Sequence, residues 1–376
     1  MRIQFNKPFI VGAELNNIAR AVLVKGVTSG DGDFTRLCQA WLEDNLGCGK
    51  ALLTHSCTAA LEMAAILCGV GPGDEVIMPS FTFVSTANAF VLRGATPVFI
   101  DIRPDTLNID EQLIPKAITE RTKTIVPVHY AGIPCAMDEI CDIALGKELL
   151  VVEDAAQALL SDYDDKKLGA LGDLGCLSFH ETKNIISGEG GALLINNDQF
   201  IERAEIIWQK GTNRKNFERG VVNKYTWVDI GSSFLPSEIT AAFLYAQMNH
   251  AEEIITRRRY LCSLYIERLA LLYNTGHICH PPIHNGNGHI FYVLTNTSDE
   301  KTKLLSHLNN NGINAVFHYV PLHSSPAGRK YGRVSGSMNV TDDISSRIIR
   351  LPIYYEMKEQ DIDMVTEEIF SFYGTR

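Results

Sequence analysis

The sequence predicts an α/β protein in which a mostly parallel, seven-stranded sheet is covered by helices and a smaller C-terminal α/β domain follows. Three observations predict it. Over the first 200 residues short apolar, β-branched runs alternate with helical stretches. After Pro236 that rhythm stops and a long helical stretch takes over. At 376 residues the chain is also too long for one minimal domain.

Seven runs read as strands, ending near Thr54, Met78, Ile102, His129, Glu153, Phe179 and Ile195. Their middles, such as Leu149-Leu150-Val151-Val152, are apolar on both alternations, as strands buried on both faces must be. Helical periodicity fills several gaps, at 58–67, 86–92 and 137–145. Repeated strand, helix, strand order implies parallel neighbours, and such sheets bind ligands beyond the carboxyl ends of their strands. The residues just after each run are therefore the candidates for chemistry. Residues 237–272 read as one long helix interrupted near His250, followed by a Gly-, Pro- and His-rich connection at 276–288. A strand at 290–294, a helix at 301–308, a strand at 315–319 and a last helix at 359–372 complete the pattern. This places the large domain at residues 1–249 and the small one at 250–376.

Composition narrows the function. A net charge of −10, with no run of Lys or Arg to offset it, argues against nucleic acid as a partner. No stretch reaches the about 18 consecutive apolar residues of a membrane span, and the first residues lack the apolar core of a secretion signal. Nine cysteines without paired spacing read as reduced thiols in a cytoplasmic protein.

Four segments carry chemistry. Lys183, in Phe179-His180-Glu181-Thr182-Lys183-Asn184, follows a strand end and precedes Gly188-Glu189-Gly190-Gly191. A lysine so placed can be desolvated, kept neutral and made to attack a carbonyl, although a solvated surface lysine would look the same. Asp154 ends the apolar strand Val151-Val152-Glu153; it could pair with a cationic ring nitrogen or simply cap a helix. Thr54-His55-Ser56-Cys57-Thr58-Ala59 joins a strand to a helix. Free N–H groups there suit a phosphate, or are merely capped. Phe83, in Pro79-Ser80-Phe81-Thr82-Phe83, could stack on a flat cofactor or belong to the core.

Taken in this order along one sheet, the four segments resemble the sugar-nucleotide aminotransferase family of fold-type I pyridoxal-phosphate enzymes, over essentially the whole chain. Lys210-Gly211-Thr212-Asn213-Arg214 and Val316-Phe317-His318-Tyr319-Val320-Pro321-Leu322-His323 extend the likeness. The resemblance implies that Lys183 bonds pyridoxal 5'-phosphate covalently and that Asp154 pairs with its pyridine nitrogen. It puts Gln157 near the phenolic oxygen, Phe83 on the ring, and Thr58, Ala59 and Ser178 at the phosphate. It further implies a nucleotide-sugar substrate, L-glutamate as amino donor, and a homodimer with shared sites. Many relatives supply an Asn to the partner's phosphate from a Gly-aromatic-Asn sequence. Here that stretch reads Gly231-Ser232-Ser233, so Ser233 would take that place with a shorter side chain. Dehydratases of the same fold carry His where this chain has Lys183, so the resemblance favours transamination. Two alternatives stay open: a pyridoxal-phosphate-binding regulatory protein without turnover, and a nucleotide-sugar-binding protein without chemistry.

Other clusters carry less. His277, Cys279, His280, His284 and His289 lack the spacing of a zinc site, and no metal is expected. His180 reads as packed or hydrogen-bonded. His318 and His323 flank an apolar run, where burial and substrate contact are both open. Arg257-Arg258-Arg259 reads as a solvated helix face.

Overall fold

The computed structural model describes residues 2–279 and 286–374. Thirteen strands occur among them. The first five are β1 (Lys50–Thr54), β2 (Glu75–Pro79), β3 (Thr96–Ile100), β4 (Thr122–Ile125) and β5 (Leu150–Asp154). A short ladder of β6 (Asp162–Tyr163) and β7 (Lys166–Lys167) precedes β8 (Leu174–Ser178) and β9 (Gly191–Ile195). The C-terminal third adds β10 (Ile278–Cys279), β11 (Phe291–Thr295), β12 (Arg333–Val334) and β13 (Ile348–Leu351).

The central sheet runs β1-β9-β8-β5-β4-β2-β3-β12. Strand β9 is antiparallel to both its neighbours, and every other pairing is parallel. The sheet has eight strands, one more than the sequence pattern shows. The extra strand, β12, is only two residues long and reaches the β3 edge from far along the chain. What anchors it is electrostatic: Arg333 grips the buried Glu75 carboxylate through Nε (2.9 Å) and Nη2 (2.7 Å). A planar guanidinium matched to a carboxylate is the strongest such pairing, and Arg333 leads the groups that hold the Glu75 carboxyl below its usual range.

Strand alternation divides the core as sheet geometry requires. Leu52 and Leu193 face the helix Cys57–Leu67 and Trp208, while Ala51, Leu53, Ala192 and Leu194 face Phe34 and Leu42 of the helix Asp33–Leu46. Helix Met137–Leu145 covers Ile77, Ile125 and Val151 through Met137 and Ile140. Gly191 has a specific job. A Cβ there would lie 2.4 Å from the Cys57 nitrogen, so only glycine lets the helix start pack on β9.

The long helical stretch is two helices, Glu238–Met248 and Ala251–Asn274, broken at His250 as the pattern suggests. Helices Ser298–Asn310 and Glu359–Tyr373 lie where expected and pack with β11 and β13 around Leu304, Phe291, Ile349 and Ile362. The expected strand at 315–319 is not one. Only Val316 pairs, exchanging backbone bonds with Arg350 (3.1 and 2.8 Å), and the chain then turns so that His318 and Tyr319 face a cavity. The arginine triplet is not a solvated face either. Arg258 is only 3% exposed and donates to the carbonyls of Gly288 (3.0 Å) and His289 (2.9 Å); Arg257 and Arg259 also bond backbone carbonyls.

Candidate active site

Parallel strands bring the ends of β1, β2, β5 and β8 to one edge, and antiparallel β9 starts there. A cavity of about 640 Å³ opens at that edge. Lys183, Asp154, Gln157, Thr58, Phe83 and Ser178 all line it, although they come from segments up to 125 residues apart.

Lys183 sits in the turn after β8, part-buried and fixed by its N–H bond to the His180 carbonyl (2.9 Å). Burial pulls its amine down from 10.5 to about 8, assisted by the positive charge of Arg350 and opposed by Asp154. Asp154, buried at the end of β5, accepts from Thr86 Oγ1 (2.7 Å) and from the Ala156 N–H (3.2 Å). Thr86 is itself paired with Thr82 (2.8 Å). The Asp154 carboxylate is thus held by neutral donors, and no arginine or lysine ion pair claims it among the described residues. A cationic partner in the cavity would find it available.

Gln157 is oriented from both ends. Its Oε1 accepts the Ala131 N–H (2.7 Å) and its Nε2 donates to the Tyr319 hydroxyl (3.0 Å). Behind it, Asn287 donates to the Gln157 and Leu159 carbonyls (3.0 and 2.9 Å) and accepts from Asn184 (2.9 Å) through its own carbonyl. Asn184 in turn presents Oδ1 to His289 Nδ1 (3.2 Å). The neighbour of Lys183 is therefore tied to the loop that Arg258 supports. Burial drives His289 well below its usual pKa and keeps it neutral, so its Nδ1 carries the proton that Asn184 accepts.

Thr58 and Ala59 fare differently. Helix Cys57–Leu67 is capped by Ser56, whose Oγ accepts the Ala59 N–H (3.1 Å). Ala59 is buried, does not line the cavity, and has its donor engaged. Thr58 faces the cavity, with Oγ1 2.7 Å from Ser85 Oγ. The N–H groups of Cys57 and Thr58, in the first turn, have no intrahelical acceptor and carry the positive end of the helix dipole. Ser178 ends β8 with Oγ 3.4 Å from the His180 N–H. Ser233 does not join these residues. It is exposed and lines a separate depression with Asp31, Lys210, Arg214 and Tyr225.

Several cavity residues escape sequence reasoning. Thr86, Phe5 and Arg350 gave no signal on their own, and His289 looked like part of a metal-like cluster. Of that cluster, His280 and His284 lie outside the described residues. His318 lines the cavity, accepting the Tyr130 hydroxyl proton at Nδ1 (2.9 Å), and burial together with Arg350 and Lys183 keeps it neutral. His323 instead bonds Ser80 (2.8 Å). His180 bonds Thr182 (2.9 Å) beside the cavity.

A desolvated lysine and a buried carboxylate on the walls of one cavity, beside a helix N-terminus, define the class: a fold-type I enzyme that uses pyridoxal phosphate. Residues 10–370 match the model of the DegT/DnrJ/EryC1/StrS aminotransferase family, and the chain belongs to that family. Its members are pyridoxal-phosphate-dependent sugar aminotransferases. The chain is 32% identical over 335 residues to the spore coat polysaccharide biosynthesis protein SpsC of Bacillus subtilis, covering 86% of this chain and 85% of that one. It is 32% identical over 362 residues to a pleiotropic regulatory protein of Geobacillus stearothermophilus, covering 96% and 92%. Among solved structures, DesV of S. venezuelae superposes with a TM-score of 0.88 at 30% identity, covering 99% and 98%. Spr1654 of Streptococcus pneumoniae, in its PMP form, gives 0.91 at 25% identity, covering 99% of each chain. Among the described residues no helix is long and apolar enough to cross a membrane.

Proposed function

We propose that this chain transfers the amino group of L-glutamate to dTDP-4-dehydro-6-deoxy-D-glucose. The products would be dTDP-4-amino-4,6-dideoxy-D-galactose and 2-oxoglutarate, made by a homodimer. The observation that carries the reaction type is the neutral-prone Lys183 sharing a cavity with the Asp154 carboxylate.

Bound there, pyridoxal phosphate supplies an electron sink for the carbanion left when a proton leaves the amino-acid carbon. Lys183 holds the cofactor covalently and, once displaced by the donor's amine, carries that proton to its new carbon. Asp154, kept in place by Thr86, keeps the ring nitrogen protonated. Phe83 covers the ring, and Gln157 lies by the phenolic oxygen. Thr58, Ser178 and the first-turn N–H groups take the phosphate. Ala59 would contribute only by giving up its cap. Ser233 would act across the subunit boundary, a role supported by its distance from its own chain's cavity. Exposed apolar side chains such as Trp227 (78%) and Leu23 (81%) supply surface for a second copy.

The choice of sugar is supported by segments away from the catalytic lysine. Lys210–Arg214, the stretch from Lys224-Tyr225-Thr226-Trp227 to Ser233, and Phe317–His323 resemble the bacterial transaminase that makes this amino sugar for enterobacterial common antigen. A second reading, a regulatory protein that holds the cofactor without turnover, is favoured by the Geobacillus relative. Intact Lys183 and Asp154 weigh against it. The test is to incubate the purified protein with glutamate and a panel of keto sugar nucleotides, then identify products by NMR. An axial C4 amine on the dTDP sugar is expected. An equatorial C4 amine or a C3 amine rejects the sugar assignment alone, and no product from any keto sugar favours the regulatory reading.

A further inference from the structure

Strand β13 carries one charged residue in an apolar run. Ile348, Ile349 and Leu351 are buried in the C-terminal core, while Arg350 lines the Lys183 cavity. Its backbone is held on both sides, opposite Tyr292 in β11 and by the reciprocal bonds with Val316. Its position is therefore set by the sheet. Phe5 lies against its guanidinium, with the ring centroid 4.7 Å from Cζ.

The guanidinium has no conventional partner. Nε is buried without an acceptor, and no side-chain hydrogen bond or ion pair of Arg350 occurs among the described residues. Arg258 shows the contrast, for its equally buried group is satisfied by two carbonyls. The groups that face Arg350 are hydroxyls, neutral imidazoles and another cation: Tyr130, Tyr319, His318, His289 and Lys183. A buried cation without an acceptor is costly unless a ligand supplies one.

Three anions reach such a cavity if the proposed function holds. The cofactor phosphate has its own donors at the start of helix Cys57–Leu67. A nucleotide diphosphate carries a base and ribose on one side, which suits the cavity mouth better than a buried Nε. The donor's α-carboxylate is one bond from the carbon that must reach Lys183, and a planar fork is the natural partner for a carboxylate. We infer that Arg350 anchors the α-carboxylate of the amino-acid donor in the first half-reaction, while the keto sugar, which has no carboxylate, does not use it.

The inference rests on the aminotransferase reading, so the test includes a measurement independent of turnover. Wild-type, R350Q and R350K holoenzymes are titrated with glutarate, a non-reacting dicarboxylate, by calorimetry. The cofactor's absorbance then follows the half-reactions with glutamate, with 4-aminobutanoate (which lacks the α-carboxylate) and, in reverse, with keto sugar nucleotide on the amino form. R350Q should weaken glutarate binding and raise the half-saturating glutamate concentration by ~10- to 100-fold, the scale of a lost charged hydrogen-bond pair. R350K should recover part of the loss. R350Q should also erase most of the preference for glutamate over 4-aminobutanoate, with the loss concentrated in the donor half-reaction. Unchanged glutarate binding and unchanged donor preference overturn the inference, and so does an equal or larger loss with the keto sugar. If wild type binds glutarate through Arg350 yet never turns over, the aminotransferase reading fails while the carboxylate site stands.

Discussion

Stripping the cofactor exposes the Lys183 amine, and the pH dependence of cofactor uptake then reports how far burial perturbs it. The amine is pulled from 10.5 to about 8. Only the neutral form attacks an aldehyde, so uptake should climb about tenfold per pH unit below 8 and level off above it. At pH 7 roughly one amine in ten is neutral, against roughly one in 3,000 for an unperturbed lysine, a gain of about 300-fold. The assay is stopped-flow absorbance of apo-protein mixed with pyridoxal phosphate from pH 6 to 10. Rates for Nα-acetyl-lysine under the same conditions divide out the cofactor's own ionisations. The charges around the amine give the sign of two controls. Arg350 lowers its pKa and Asp154 raises it, so R350Q should move the midpoint up and D154N should move it down. A normalised rate that keeps rising tenfold per unit through pH 9 and 10 refutes the desolvation argument.

Further perturbations separate catalytic support from scaffold. Thr86→Val removes the hydroxyl that Asp154 accepts and should slow the donor half-reaction by ~10-fold or more, as loss of a hydrogen bond to a charged group does. An unchanged rate constant would mean Thr86 does not position Asp154. Arg258→Met strands the carbonyls of Gly288 and His289 and should cost about 2–4 kcal/mol, visible as a fall in Tm of several degrees by calorimetry. Ser233→Ala should raise the cofactor dissociation constant only about fivefold, one hydrogen bond's net worth. Full activity in a monomer, shown by sedimentation under assay conditions, would remove Ser233 from the site altogether.

Much of the large domain was legible because parallel strands buried on both faces spell themselves out as short apolar runs. Candidate chemistry followed from looking just past each run, which is why Lys183 and Asp154 stood out before any geometry was known. What stayed hidden depends on contacts distant in sequence. Strand β12 has two residues, too few for a periodic signal, and is held by Glu75 and Arg333, 258 positions apart. The alternation at 315–319 looked like a strand, but after Val316 its polar members are spent on the cavity. Arg258 and Arg350 both read as ordinary charges. Burial separates them, and only the fold shows that Arg258 meets carbonyls while Arg350 does not. Ala59 illustrates the opposite error, since a helix start that looks like a phosphate cradle has part of its donor set capped by Ser56.

The central claim is that Lys183 is the residue that bonds the cofactor. Borohydride reduction of the holoenzyme, followed by digestion and peptide mass spectrometry, tests it in one step. The phosphopyridoxyl label should be found on the peptide containing Lys183, and Lys183→Ala should leave the protein unlabelled and without transaminase activity. A label on another lysine, with Lys183→Ala turning over at the wild-type rate, would contradict it.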